Sequence, residues 1–295
     1  MSNRLEILKT YKLYINGSFP RTESGRYYIA KGAKGQELGN CCLASRKDFR
    51  NAMVAARKAQ PPWGERSAYN IGQVLYRIAE NLESRKGEMI ELVSKEEGLE
   101  KAKSTQIIEK SIDRLVYFAG WSDKFQQIFS SVNPVASSHF NFSIVEPMGV
   151  VAAICDPNSR FLGLVTAIAI SLCTGNASVI LASENSPLSA ITFAEILHHS
   201  DVPAGVVNIL TGKKEELQSH FASHMDVNGL ILIGEDFNIT ELEELAAGNL
   251  KRVRQWTLEQ LQNNAIESPY TLKSLVEVKT TWHPIEQIGG AKAGY

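Results

Sequence analysis

The sequence predicts an α/β protein built on a parallel sheet with helices on both faces. Four short apolar runs, at 150–154, 179–181, 206–210 and 230–233, show no alternation of apolar and polar residues. That is the pattern of strands buried on both faces. Each run is separated from the next by a helical stretch, at 161–174, 187–199 and 214–224. Strands alternating with helices give a parallel sheet with right-handed crossovers. Helical periodicity between residues 45 and 121 adds a helical layer ahead of that sheet.

The elements follow in order. Residues 11–31 alternate loosely, and Tyr11-Lys12-Leu13-Tyr14-Ile15 runs into Asn16-Gly17, a hairpin signal. A second short hairpin is expected to end near Gly39. Ser45 can cap a helix beginning at Arg46, with Ala52, Ala55, Ala56 and Ala59 on its small-residue side. Pro61-Pro62 is expected to stop it. The next helix spans about Ser67 to Arg85, where Ile71, Val74, Leu75, Ile78 and Leu82 form one apolar stripe. A third is expected at 86–97 and a fourth at 103–121, with Ile108, Ile112, Leu115 and Ala119 on one face. Alternation returns at 137–146, with Phe140, Phe142 and Ile144 facing one way, before Pro147-Met148-Gly149 turns the chain. After the last apolar run, 235–245 reads as an acidic helix and 249–256 as a strand. Residues 259–267 read as a polar loop, 270–282 as a strand with alternating Val276 and Val278, and 288–295 as a loose tail. The expected organisation is strands and a helical layer at 1–136, a bridging hairpin at 137–149 and the parallel α/β part at 150–256. A linker at 257–269 and an arm strand with its tail at 270–295 complete it.

Composition narrows the function. The 295 residues carry 31 Lys+Arg against 32 Asp+Glu, a net charge of −1, with no basic stripe, which argues against nucleic acid as a partner. The longest apolar stretch, 161–173, is shorter than the ~20 residues that span a bilayer, so no membrane partner is expected. No charged-then-apolar leader opens the sequence. The cysteines, at 41, 42, 155 and 173, lack metal-ligand spacing. Cys41 and Cys42 would point to opposite faces of a strand. A reduced, cytoplasmic protein is the simplest expectation. His220 and His224 are four apart on a helix, but Phe221 follows His220 where a metalloprotease-type motif needs Glu, so no metal site is expected. The adjacent His198 and His199 fit a helix C-terminus better than a catalytic triad.

A collinear series of motifs carries a resemblance. It includes Tyr14-Ile15-Asn16-Gly17, Ala55-Ala56-Arg57-Lys58-Ala59 with Trp63, and Tyr117-Phe118-Ala119-Gly120-Trp121. It continues through Pro147-Met148-Gly149, Asn158, Cys173-Thr174-Gly175-Asn176, Ser183-Glu184 and Pro203-Ala204-Gly205 to Thr211-Gly212. Ala246-Ala247-Gly248-Asn249-Leu250-Lys251 closes it. In these residues the chain resembles the aldehyde dehydrogenase superfamily over 11–253. The resemblance implies the Rossmann-like, NAD-binding-type N-terminal domain of that fold, joined to a β-hairpin and C-terminal strand that serve as an oligomerisation arm. It then breaks. Trp256 falls where the family has the glutamate of its general base, and a three-residue slip would put Glu259 there without the following glycines. No cysteine follows Cys173, so the family's nucleophile and catalytic domain have no counterpart before Tyr270-Thr271 and Val278–Trp282, which look like the family's last strand. This arrangement, with Trp282-His283-Pro284, is similar to the degenerate C-terminal half of aldehyde dehydrogenase family 16.

Aldehyde oxidation by that route needs a thiolate, oxyanion donors, a nicotinamide and a base. Asn158 matches the family's oxyanion-hole asparagine but has no thiol to serve, so it is expected to cap the helix near Phe161 instead. Cys155 and Cys173 are expected to be inert core residues. Asn158, Glu184, Gly212 and Gly234 are the remaining candidates for cofactor contact. Leu181 replaces the family's ribose-binding Lys beside Glu184, and Leu232-Ile233-Gly234-Glu235 replaces its pyrophosphate turn. Glu235 and Asp236 at a helix N-terminus would repel a pyrophosphate. The expectation is therefore no cofactor, or weak NAD(P) binding at most. The leading function is a pseudoenzyme that acts as a scaffold, docking on an aldehyde dehydrogenase domain or self-associating through 137–149 and 270–283. An NAD(P)-dependent oxidoreductase from an incomplete gene record and an NAD(P) sensor without turnover are the alternatives.

Overall fold

The computed structural model describes residues 8–285, so the expected tail at 288–295 lies outside the described residues. Strands β1 (Thr10–Tyr11), β2 (Tyr27–Lys31) and β3 (Glu37–Cys42) form a small sheet in the order β1-β3-β2. Asn16 and Gly17 form a two-residue turn with φ of 52° and 68°. Ile15 and Ser18 exchange both backbone hydrogen bonds across it, at 3.0 and 3.1 Å. Asn-Gly is favoured there because both central residues need positive φ. Cys41 and Cys42 are buried in different halves of the core, as strand alternation dictates.

Four long helices follow, α1 (Arg46–Gly64), α2 (Ala68–Ser84), α3 (Lys86–Glu97) and α4 (Lys101–Trp121), then the short α5 (Phe125–Phe129). Ser45 and Asp48 cap α1 reciprocally, and the Asp48 carboxylate also accepts the Thr22 hydroxyl at 2.6 Å. Contrary to expectation, α1 runs through Pro61 and Pro62. Proline breaks a helix by removing an N–H and crowding the preceding turn. Here the prolines fall in the last turn, where buried Trp63 ties the backbone to the core.

Strands β4 (Ser131–Asn133), β5 (His139–Pro147) and β6 (Val150–Cys155) precede the α/β part. That part continues as α6 (Arg160–Cys173), β7 (Ala177–Leu181), α7 (Pro187–His198), β8 (Val207–Leu210), α8 (Lys214–Ser223), β9 (Gly229–Ile233), α9 (Ile239–Ala246) and β10 (Arg252–Trp256). The five strands form one parallel sheet in the order β10-β9-β6-β7-β8. Val151, Ala153 and Cys155 of β6 face one core layer with α2–α4, α6 and α7. Val150, Ala152 and Ile154 face the other with α1, α8 and α9, where Phe49 stacks on Phe221 at 4.1 Å. The sheet is thus covered on both faces, which accounts for its apolar strands. Among the described residues no helix is long and apolar enough to cross a membrane.

After β10 come α10 (Leu258–Gln262), α11 (Pro269–Lys273) and β11 (Val276–Pro284). The expected polar loop contains a helical turn, because Thr257 and Gln260 form a capping box. The strand expected from 270 starts only at Val276, because Ser268 caps and Pro269 opens a helical turn first. The segment is anchored from α4. Arg114, fully buried, donates to the Leu261 carbonyl at 2.9 Å, to Asn264, to the Thr166 hydroxyl and to Glu267. Strand β11 pairs antiparallel with β5 over nine residues, giving a sheet in the order β11-β5-β4. On β5 the alternation holds, but its sense is inverted. Asn141, Ser143 and Val145 are buried, while Phe140 and Ile144 are exposed and Phe142 is half-buried.

Candidate functional site

In a parallel α/β sheet, ligands bind at the carboxyl ends of the strands, where the strand order reverses. That point lies between β6 and β9, since the chain proceeds from β6 to β7 and β8, then crosses back to β9 and β10. Asp156 stands there, directly after β6, with its backbone N–H donated to the Ile233 carbonyl at 2.9 Å. Its buried carboxylate accepts four backbone N–H groups. Asn158 and Ser159 donate to Oδ1 at 2.8 and 2.7 Å. Glu235 and Asp236 donate to Oδ2 at 3.0 and 3.3 Å. The carboxylate therefore joins the turn after β6 to the turn after β9.

Gly234 makes this approach feasible. Its φ is +114°, and a Cβ at that position would fall inside the Asp156 carboxylate. Its N–H donates to the Trp256 carbonyl at 2.9 Å, and its carbonyl accepts the Gln255 side chain at 2.7 Å.

The neighbouring loops are laced together as well. The Pro157 carbonyl accepts the Ser183 hydroxyl and the Asn185 side chain, at 3.2 and 2.9 Å. The Glu184 carboxylate accepts the Lys214 backbone N–H at 2.9 Å, and burial raises its pKa against that hydrogen bond. The Lys214 ammonium, 6% exposed, donates to the Asp236 carboxylate at 2.7 Å and to its carbonyl.

The sequence candidates separate on this geometry. Asn158 and Gly234 meet at Asp156, and Glu184 lies one loop away. Gly212 lies apart, beyond β8, against Ala44 and Leu217. Asn158 does not cap α6. Ser159 is the cap residue, and the Asp156 side chain takes the N–H groups of that turn. The Asn158 side chain is exposed beside a groove of about 680 Å³ that Lys103, Lys110, Arg160 and Leu258 also line. Glu235 is not at a helix N-terminus, because α9 starts at Ile239 behind its own Asn238 cap. Its carboxylate accepts the Leu258 N–H at 2.9 Å instead. The negative charge among the N–H donors thus comes from Asp156, not from Glu235 or Asp236. Sequence reasoning missed Asp156 and Lys214. The available signal was an acidic residue set immediately after a wholly apolar strand.

The thiols lack the surroundings of a nucleophile. All four cysteines are buried and unpaired. Burial pushes Cys155 and Cys173 up to about 12, and Cys41 higher still. Trp256 is a core residue at the end of β10, and Glu259 is exposed on α10. Leu181 is buried at the end of β7. His224 follows the last residue of α8, packs edge-on against Phe49 and accepts the Asp226 N–H.

Comparison with known proteins places the chain. The aldehyde dehydrogenase family profile matches residues 20–264. The putative aldehyde dehydrogenase DhaS of Bacillus subtilis is 31% identical over 259 residues, covering 86% of this chain and 52% of that protein. Retinal dehydrogenase 2 of Mus musculus is 32% identical over 253 residues, covering 83% and 48%. The crystal structure of PnpE in complex with nicotinamide adenine dinucleotide superposes with a TM-score of 0.79 at 28% identity, covering 83% of this chain and 50% of that one. The fold is the NAD-binding domain of these proteins, and the chain belongs to the aldehyde dehydrogenase family. It spans about half the length of the full-length relatives it matches.

Proposed function

We propose that the protein is a non-catalytic member of the family, a scaffold that docks through the β11-β5-β4 sheet on an aldehyde dehydrogenase domain. The observation that carries this is internal to the chain. Residues 257–275 lead from β10 directly to β11, and Arg114 closes that segment onto α4. No cysteine lies in it, and the four thiols elsewhere are buried. The sheet also supports docking, since Val132, Phe140 and Ile144 form an exposed apolar face. Contiguous exposed apolar surface marks interaction sites, and an open strand edge invites augmentation. Trp282, exposed near the end of β11, lies on the other face of the sheet, edge-on to His139. The last strand with Trp282-His283-Pro284 favours a degenerate copy of the kind found in aldehyde dehydrogenase family 16.

NAD(P) binding on this reading is weak or absent, since Leu181 offers the ribose no cation and the N–H groups between β6 and β9 are engaged. Four unpaired thiols support a reducing compartment such as the cytoplasm. Sedimentation of the chain alone and mixed with a full-length active family member tests docking. The expected result is self-association or a mixed complex, lost in Phe140→Asp/Phe142→Asp. A strictly monomeric chain that joins neither would contradict it.

A further inference from the structure

The Asp156 carboxylate is buried, and among the described residues its hydrogen-bond partners are all backbone N–H groups, from two separate turns. Convergent backbone N–H groups form anion-binding concavities, and phosphates bound at the edge of parallel sheets are held in this way. The place is the switch point of the sheet, between β6 and β9, where such folds bind ligands. The carboxylate thus has the position and the donors of a bound oxyanion, while being part of the chain.

We propose that this crevice is a latent phosphate site closed from inside, with Asp156 as a built-in anion whose removal opens the site to phosphate-bearing ligands. Three details support an evolved contact rather than an incidental one. Gly234 at φ +114° leaves the volume that the carboxylate fills, so both turns are shaped around it. Lys214 fastens the second turn by holding Asp236, so the Glu235 and Asp236 N–H groups stay aimed at Asp156. The acidic side chains of that turn are engaged by the Leu258 N–H and the Lys214 ammonium, so removing Asp156 would leave N–H donors without an anion. The closure would act alongside the loss of the ribose-binding Lys. It stands apart from the docking reading, whose test is association rather than anion binding.

The test uses the full chain as wild type, Asp156→Ala and Asp156→Asn. The probes are inorganic pyrophosphate, ADP and NAD+ at matched ionic strength, read by thermal midpoint and calorimetry. In the wild type none of the probes should move the midpoint beyond the sodium chloride control. Asp156→Ala should melt lower, recover by about 5 °C at a hundredfold excess of pyrophosphate over its dissociation constant, and bind at least about tenfold more tightly than wild type. A response to ADP and NAD+ as well assigns the site to nucleotides, and a response to pyrophosphate alone assigns it to small oxyanions. Either supports the latent site. If Asp156→Ala does not fold, Asp156→Asn carries the same comparison, since its amide keeps one acceptor and loses the charge. A folded variant that pyrophosphate stabilises no more than the wild type overturns the proposal, as does tight NAD+ binding by the wild type.

Discussion

Asp156 and Gly234 are fitted to each other across the end of the parallel sheet. The carboxylate fills the volume a side chain at 234 would need, and Gly234 holds a backbone conformation that side chains disfavour. Gly234→Ala should therefore lose about 3 kcal/mol or more of stability, from steric collision added to positive-φ strain. Part of that loss belongs to Asp156. In the background of Asp156→Ala, the same substitution should cost less by about 1–3 kcal/mol, the size of coupling expected between residues in contact. Denaturant unfolding of the four proteins gives the coupling directly. Additive losses would mean that the two residues do not share the space.

Arg114 determines whether the 257–275 segment stays closed. It is fully buried and bonded to the Leu261 carbonyl, Asn264 and Glu267. Breaking a buried charge pair by removing one partner costs about 3–5 kcal/mol. Arg114→Ala should lose stability on that scale and make the segment between 261 and 268 an early site of limited proteolysis. First cleavage of the variant elsewhere, or equally early cleavage of the wild type between 261 and 268, would contradict the assigned role.

The thiols should be silent in the folded state. A thiol with a pKa of about 12, as at Cys155 and Cys173, holds only about one part in ten thousand as thiolate at pH 8. Those two thiols, and Cys41, which burial raises further, should therefore react negligibly with a disulfide reagent at that pH in the native chain, burial alone keeps Cys42 from the reagent, and the unfolded chain should release four equivalents. Rapid reaction of one native thiol would reveal a nucleophile the geometry does not contain.

Glu96 gives stability a pH dependence. Burial pushes its carboxyl up to about 8, against opposing hydrogen bonds from the Leu188 and Ser189 N–H groups at 2.6 and 3.0 Å. A folded-state pKa above the unfolded one means that the folded chain holds the proton more tightly between those values. Stability from this group is then complete below about pH 4.5 and lost progressively as pH rises through 8. The thermal midpoint should fall between pH 6 and 9 more steeply for wild type than for Glu96→Gln. Equal slopes would remove Glu96 as the cause.

The parallel sheet was legible because four of its five strands, all but β10, are largely apolar runs between helical stretches, and Ile71 through Leu82 marked α2 as plainly. Pro61-Pro62 misled because local rules place a helix end ahead of proline, whereas buried Trp63 carries the helix past it. At 270–274 the capping Ser268 with Pro269 outweighed the strand pattern of the residues that follow. The apolar alternation of β5 was readable, but not that its polar residues would be the buried ones, since their partners come from other strands, Asn133 on β4 for Asn141 and Ser143, and the distant Thr280 on β11 for Ser143. Asn158 and Gly234 were legible from motif position. Asp156 was not, because Asp-Pro-Asn reads locally as a turn, and two of the four N–H groups it accepts lie 79 and 80 residues away.

On the proposed reading, this member of the aldehyde dehydrogenase family turns over no aldehyde. The most direct test is the formation of NAD(P)H by the purified chain supplied with NAD+ or NADP+ and a panel of short aliphatic and aromatic aldehydes. The expected rate is no greater than that of a control in which all four cysteines are alkylated after unfolding. Sustained NAD(P)H formation that copurifies with the chain and disappears in that control would contradict it, and would favour an oxidoreductase.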